Sequence, residues 1–208
     1  MTHSDIQIIT AGAEEIVINR NELAERLHTD RNFTAPLLEH CQQRLQQVIR
    51  YRCACIRTSV DLSTDNICDF GFMTIPSHAL YRNLNGCQEV FIMALTTGIA
   101  VDRLLSRLNI TSQAEHFMTD ALSSAAIESF CDVVCDRLRK GLICAPRFSP
   151  GYGDVSLTFQ QPILQRLDAY EQLGITLNSA FLMTPVKSIT AIMGIRSSCH
   201  NDNREGDV

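Results

Sequence analysis

The stretch CACIRTSVDL (Cys53 to Leu62), STDN (Ser63 to Asn66) and ICDFGFMTI (Ile67 to Ile75) governs how the fold is read. Two runs rich in β-branched and apolar residues flank four turn formers whose short polar side chains bond their own backbone. The pattern predicts an antiparallel hairpin. Upstream, Pro36 opens a segment in which Leu38, Cys41, Leu45, Val48 and Ile49 recur at helical spacing. His40, Gln42, Gln43, Arg44, Gln46 and Gln47 fill its other side, so it reads as an amphipathic helix packed on something flat. The hairpin supplies that flat surface.

Working outward, short strands are expected over Ile6 to Thr10 and Glu15 to Ile18, then a helix through Leu23, Ala24 and Leu27 capped by Asn21. Val90 to Thr97 reads as a further strand ended by Gly98, and Val101 to Leu108 as a short helix with Asp102, Arg103 and Arg107 outward. The longest helix runs from Ser112 to Lys140. Ser112 followed three residues on by Glu115 is a capping box. After a Pro- and Gly-rich loop comes a helix near Gln160 to Leu173 that Gly174 terminates. Two last strands, Thr176 to Met183 and Ser188 to Ile195, meet across Thr184 to Lys187. Strands and helices mix without regular βαβ alternation and without internal repeats, which predicts an α+β fold with a largely antiparallel sheet. One domain over residues 1–196 is expected, followed by a polar, disordered tail over 197–208.

Eighteen Lys and Arg against 23 Asp and Glu leave a net charge of -5, so the footprint of a nucleic-acid or anionic-membrane binder is missing. No secretory signal and no stretch of ~18 apolar residues is found. The expectation is a cytoplasmic chain. Nine cysteines, odd in number and scattered, argue for reduced thiols. Cys53 and Cys55 share a strand face and Cys131 and Cys135 a helix face, but neither pair has a CxxC partner, so both read as core residues and no metal site is expected. Cys199-His200 lies in the polar tail. No GxSxG, HExxH, P-loop or GxGxxG accompanies the Ser, His and Asp residues, which removes the matching hydrolase, zincin, NTPase and dinucleotide-binding readings.

The segment Arg147-Phe148-Ser149-Pro150-Gly151-Tyr152-Gly153-Asp154 carries the most chemistry. Pro150 holds Ser149 extended, Gly151 and Gly153 permit close approach or positive φ, and Arg147 offers a planar fork suited to a carboxylate. Local chemistry reads the segment equally as a plain turn with a surface arginine. Glu128 falls on a helical stripe with Phe117, Ala121, Ala125 and Cys135, flanked by Ser124 and Asp132. A carboxylate among small residues calls for a cationic or hydrogen-bonding partner, such as a ligand ammonium or ribose hydroxyls, unless it forms an ion pair within the protein or is simply solvated.

Arg147, Gly151 and Tyr152 match the RxxxGY pattern of the carboxy-terminal activation domain of cobalamin-dependent methionine synthase. Ala121-Leu122 through Glu128, Phe130 and Asp136 to Lys140 resembles the helix before that motif. Gly174 to Pro185 and Lys187 to Gly194 are similar to the closing hairpin of that domain, and Ala94 to Gly98 to a segment of its free-standing relatives. The resemblance spans about Val17 to Ile195. It departs after the last strand, where the synthase's domain has further ligand-contacting aromatics and this chain a polar tail.

The resemblance implies a C-shaped α+β domain that binds S-adenosylmethionine shallowly. It implies an accessory subunit that supports reductive remethylation of cob(II)alamin, with cobalamin carried by the synthase or a related corrinoid protein. A flavodoxin or ferredoxin-like reductant would supply the electron. By the same analogy Arg147 holds the methionyl carboxylate, the backbone around Ser149 and Gly151 contacts the adenosyl part, Glu128 helps bind the ligand, and Tyr152 faces the corrin as the residue nearest the reaction. The alternative is a non-catalytic module that senses S-adenosylmethionine or docks on a corrinoid protein. A third reading is a generic α+β interaction protein.

Overall fold

In chain order the first half comprises β1 (Gln7–Ala11), α1 (Arg20–Leu27), α2 (Pro36–Val48), β2 (Tyr51–Ser59), β3 (Asp61–Ser63), β4 (Ile67–Asp69) and β5 (Thr74–Pro76). There follow α3 (His78–Asn83), β6 (Cys87–Thr96), α4 (Ile99–Thr111), α5 (Gln113–Arg139) and β7 (Ile143–Cys144). A 3-10 turn (Leu157–Phe159) leads into α6 (Gln160–Arg166), α7 (Ala169–Leu173), β8 (Thr176–Leu177), β9 (Met183–Thr184) and β10 (Ser188–Arg196). The computed structural model describes residues 6–28 and 36–196. Cys199-His200 and the rest of the 197–208 segment lie outside the described residues.

The main sheet is antiparallel in the order β1-β2-β6-β10-β7. It curls into a half-barrel with helices packed on it, an α+β fold with the expected antiparallel sheet. Side-chain alternation along the strands sends two sets of residues into two cores. Cys53, Cys55, Met93, Leu95, Ala191 and Met193 meet residues of α1, α2, α4 and α5 on one face. Ala54, Ile56, Ile92, Ala94 and Ile192 meet residues of α3, α6, α7 and the small β3-β4-β5 sheet on the other. Because both faces are covered, β6 is buried along nearly its whole length and reads as an apolar run without alternation. On the helical face, fully buried Phe130 meets the Tyr51 ring at 5.0 Å between centroids. The cysteine pairs are core residues, and burial pushes the Cys55 thiol up to about 12.

Several boundaries differ from the sequence expectations. The hairpin turn at Ser63 to Asn66 forms, with Ser63 opposite Ile67 and Asn66 at φ 60°, but each flanking run divides. At Val60 the chain leaves the main sheet for the small one, and Phe70 to Met73 turns between β4 and β5. Glu15 to Ile18 is not a strand, because Glu15 closes a turn by accepting from the Gly12 amide (2.7 Å) and pairs with Arg137 (2.9 Å). The cap of α1 is Asn19, not Asn21; its side chain accepts from the Asn21 and Glu22 amides.

Ser112 caps α5 through the Glu115 amide, but the Glu115 side chain reaches across to Arg44 of α2 and does not return to the cap. Asp102, expected to point outward, is half-buried and accepts from the Val186 amide (2.9 Å). The expected helix over Gln160 to Leu173 breaks at Asp168, which sits at φ 48° without a glycine or proline to announce it. Thr176 to Met183 folds back on itself as β8 and β9, since the Asn178 side chain accepts from the Ala180 and Leu182 amides (2.9 and 3.0 Å). The closing hairpin therefore does not form: β10 pairs with β6 and β7 instead.

Candidate functional site

Where β7 ends, the edge of β10 is only partly covered. Ile195 and Arg196 pair with β7, and Ile192 exchanges both backbone bonds with Phe148 at 2.8 Å each. The two-residue period turns the backbone groups of Thr190 toward the same edge, but the covering chain, two residues past Phe148, reaches Pro150, which has no N–H to give. There the covering chain departs. Ser149 to Tyr152 forms a tight turn, with the Tyr152 amide donating to Ser149 O at 3.2 Å and Gly151 at φ 94°. Pro then Gly at the central positions is the pairing a type II turn requires.

The departing loop leaves a cleft of about 440 Å³ lined by Glu128, Arg147, Ser149, Tyr152, Gln160 and Thr190 among others. Phe148, Pro150, Leu157, Met183 and Ile189 supply apolar wall. Asp154 fixes the loop's far end on α3: it accepts from the Ser77 hydroxyl and from the His78 (2.9 Å) and Ala79 (3.3 Å) amides. Those donors, Ser77 first, hold its carboxyl below the ordinary range.

The charged groups of the cleft come from α5. Asp120, Ser124, Glu128 and Asp132 recur every four residues along the side of α5 that the core leaves uncovered. Arg147 Nη2 lies 2.8 Å from Glu128 Oε2, and Nη1 donates to Asp132. Lys187, entering β10, donates to Ser124 Oγ and Asp120 Oδ1 at 2.7 Å each. One helix stripe thus tethers both the loop and the last strand. The cationic partner that Glu128 calls for is, in this structure, the guanidinium of its own chain.

Of the sequence-derived site residues, Glu128, Arg147, Ser149 and Tyr152 all line this cleft, with Tyr152 68% exposed on its rim. Gly151 does not line it. A Cβ there would stand 2.9 Å from Leu157 Cδ2, so the glycine lets the loop close over a wall residue. Among the described residues no group of three or more His, Cys, Asp or Glu is arranged to hold a metal ion, and no helix is long and apolar enough to cross a membrane.

Against solved structures, the chain superposes on the crystal structure of the MetH reactivation domain bound to AdoHcy with a TM-score of 0.69. The match covers 91% of this chain and 78% of that one at 14% identity. The chain has the fold of the MetH reactivation domain. No protein-family model matches the sequence, and no curated protein does. Sequence reasoning missed Leu157, Gln160, Met183, Ser188, Ile189 and Thr190. The strand residues carry no motif, and Gln160 looks like any exposed helical glutamine until the fold buries it.

Proposed function

We propose that this chain binds S-adenosylmethionine in the cleft and supports reductive remethylation of cob(II)alamin on a cobalamin-dependent methionine synthase. The observation that carries the reading is the Glu128 carboxylate and Arg147 guanidinium, paired with each other and lining an apolar-walled cleft. It stands in a fold shared with a domain captured with AdoHcy. A methionyl group is a zwitterion: its carboxylate suits the Arg147 fork and its ammonium suits Glu128. A volume of about 440 Å³ is in the ordinary range for a small-molecule cleft. Phe148, Pro150, Leu157 and Met183 give apolar surface for the nucleoside.

When bound, the ligand supplies a methyl group already activated by its sulfonium. The residues of this chain then hold and orient it toward the partner's cobalt, a contribution of position more than of acid–base chemistry. Tyr152, exposed on the rim, is suited to face the partner's corrin. A flavodoxin or ferredoxin-like protein is proposed as the electron source, and a cytoplasmic setting goes with it. Mixed with a cobalamin-loaded synthase lacking its activation domain, S-adenosylmethionine and a reductant, the chain should restore methylcobalamin, read by absorbance. Equal recovery with and without the chain sinks the remethylation role and leaves ligand sensing or docking.

A further inference from the structure

Lys187 immediately precedes β10 and does not line the cleft, yet its side chain is only 11% exposed. Its ammonium lies 2.7 Å from both Asp120 Oδ1 and Ser124 Oγ of α5. Its carbonyl accepts from the Thr97 amide (3.1 Å) and the Thr97 hydroxyl (3.3 Å), just past the end of β6. One residue earlier, the Val186 amide donates to Asp102 of α4, whose other carboxylate oxygen is buried without a hydrogen-bond partner. Burial raises the Asp102 carboxyl, against the Val186 amide and the Lys187 charge. Withdrawing an ammonium from water is costly unless it is paired, and here α5 supplies the pair.

The residues that follow Lys187 need such an anchor. Ser188, Ile189 and Thr190 line the cleft and pair with β6, but on their other edge β7 and Phe148 reach no further than Ile192. A strand end held along one edge is the part most easily displaced. The loop beginning at Arg147, also part of the lining, is anchored to the same helix through Glu128 and Asp132. Asp120 and Glu128 are about two turns, or about 12 Å, apart along α5 by the helical rise. We propose that Lys187 is a positioning residue for ligand binding: held by Asp120 and Ser124, it fixes the start of β10 on α5 and so sets where Ser188 to Thr190 stand relative to the Arg147 loop. The role rests on the proposed S-adenosylmethionine reading. A ligand that engages Arg147 and Glu128 leaves Lys187 and its partners untouched, so one anchor holds while the other exchanges partners.

The test measures AdoHcy and adenosine by titration calorimetry, well below the thermal midpoint of every variant. Lys187→Met keeps most of the side chain, removes the charge, and should weaken both ligands by about fivefold or more, because the cleft is no longer preorganised. The ratio between the two ligands should stay within about twofold of wild type, whereas Arg147→Met should collapse it, since Lys187 touches neither ligand. Asp120→Asn alone should weaken both by about threefold and cost nothing further in Lys187→Met, as expected of two residues acting through one contact. Affinities of Lys187→Met within about twofold of wild type, losses that add in the double variant, or a loss confined to AdoHcy would each overturn the positioning role. Binding of neither ligand by the wild-type protein would instead remove the S-adenosylmethionine reading. Should Lys187→Met lack a cooperative thermal transition, Asp120→Asn decides: its carboxylate is 47% exposed, and unchanged affinity in that variant overturns the proposal.

Discussion

Arg147 Nη2 stands 2.8 Å from Glu128 Oε2, so two residues proposed to hold opposite ends of one ligand group hold each other in its absence. Asp132 takes the other nitrogen from one helical turn further along α5, and is the more exposed acid, at 54% against 29% for Glu128. A ligand zwitterion inserted between Arg147 and Glu128 exchanges one ion pair for two. Glu128→Gln keeps shape and removes charge, and should weaken S-adenosylmethionine binding about tenfold by calorimetry. Asp132→Asn, which removes a competitor from an exposed position, should leave affinity within about threefold. Equal losses in the two variants would mean that Glu128 is no more than a surface ion-pair partner.

The same arrangement predicts ligand preference. S-adenosylmethionine should bind at least about tenfold more tightly than adenosine, because only the former brings a carboxylate to Arg147. In Arg147→Met the margin should collapse. A margin unchanged by that substitution would place the methionyl group elsewhere.

Gly151→Ala forces a side chain into φ 94° and against Leu157 Cδ2. Both effects oppose the native loop, and a cost of about 1–3 kcal/mol is expected, visible as a lower thermal midpoint. Since Leu157 lines the cleft, ligand affinity should fall with it. Stability that falls while affinity holds would separate the turn from the site.

Asp154 gives a pH signature. Its carboxyl is depressed in the folded state, so its stabilising effect is fully present above the unfolded value of about 4 and is lost as pH falls through the folded one. Asp154→Ala should therefore lower the thermal midpoint at pH 7. The gap from wild type should close as pH drops below about 4. A gap that persists in acid would point to lost packing.

Tyr152→Ala addresses the reaction step. The ring is two-thirds exposed on the rim, so its loss should slow methylcobalamin recovery more than it weakens S-adenosylmethionine binding. Proportionate losses would make Tyr152 a ligand contact alone.

The main helices and the antiparallel sheet were legible because α2 presents a helical period, β2 a β-prone apolar run next to turn formers, and α5 begins on a capping serine. What escaped reading was set by distant partners. Glu115 has the right spacing to close its own cap, yet Arg44 outcompetes the cap amide. Asn178 turns a strand-like run into a hairpin through its side chain, and nothing local marks Asp168 as a break. For the site, the loop from Arg147 to Tyr152 was visible by composition. Gln160 and Thr190 were not, because a side chain's burial and a strand's uncovered edge are properties of the assembled sheet.

Pro150 has one further effect, on how the protein meets its own kind. An uncovered strand edge is a template on which another chain can add a strand and start aggregation. Here the uncovered length is brief, with β7 and Phe148 beyond it and the Lys187 tether before it. The proline that withholds a backbone donor thus leaves room for the cleft while keeping the gap too short for a foreign strand to register.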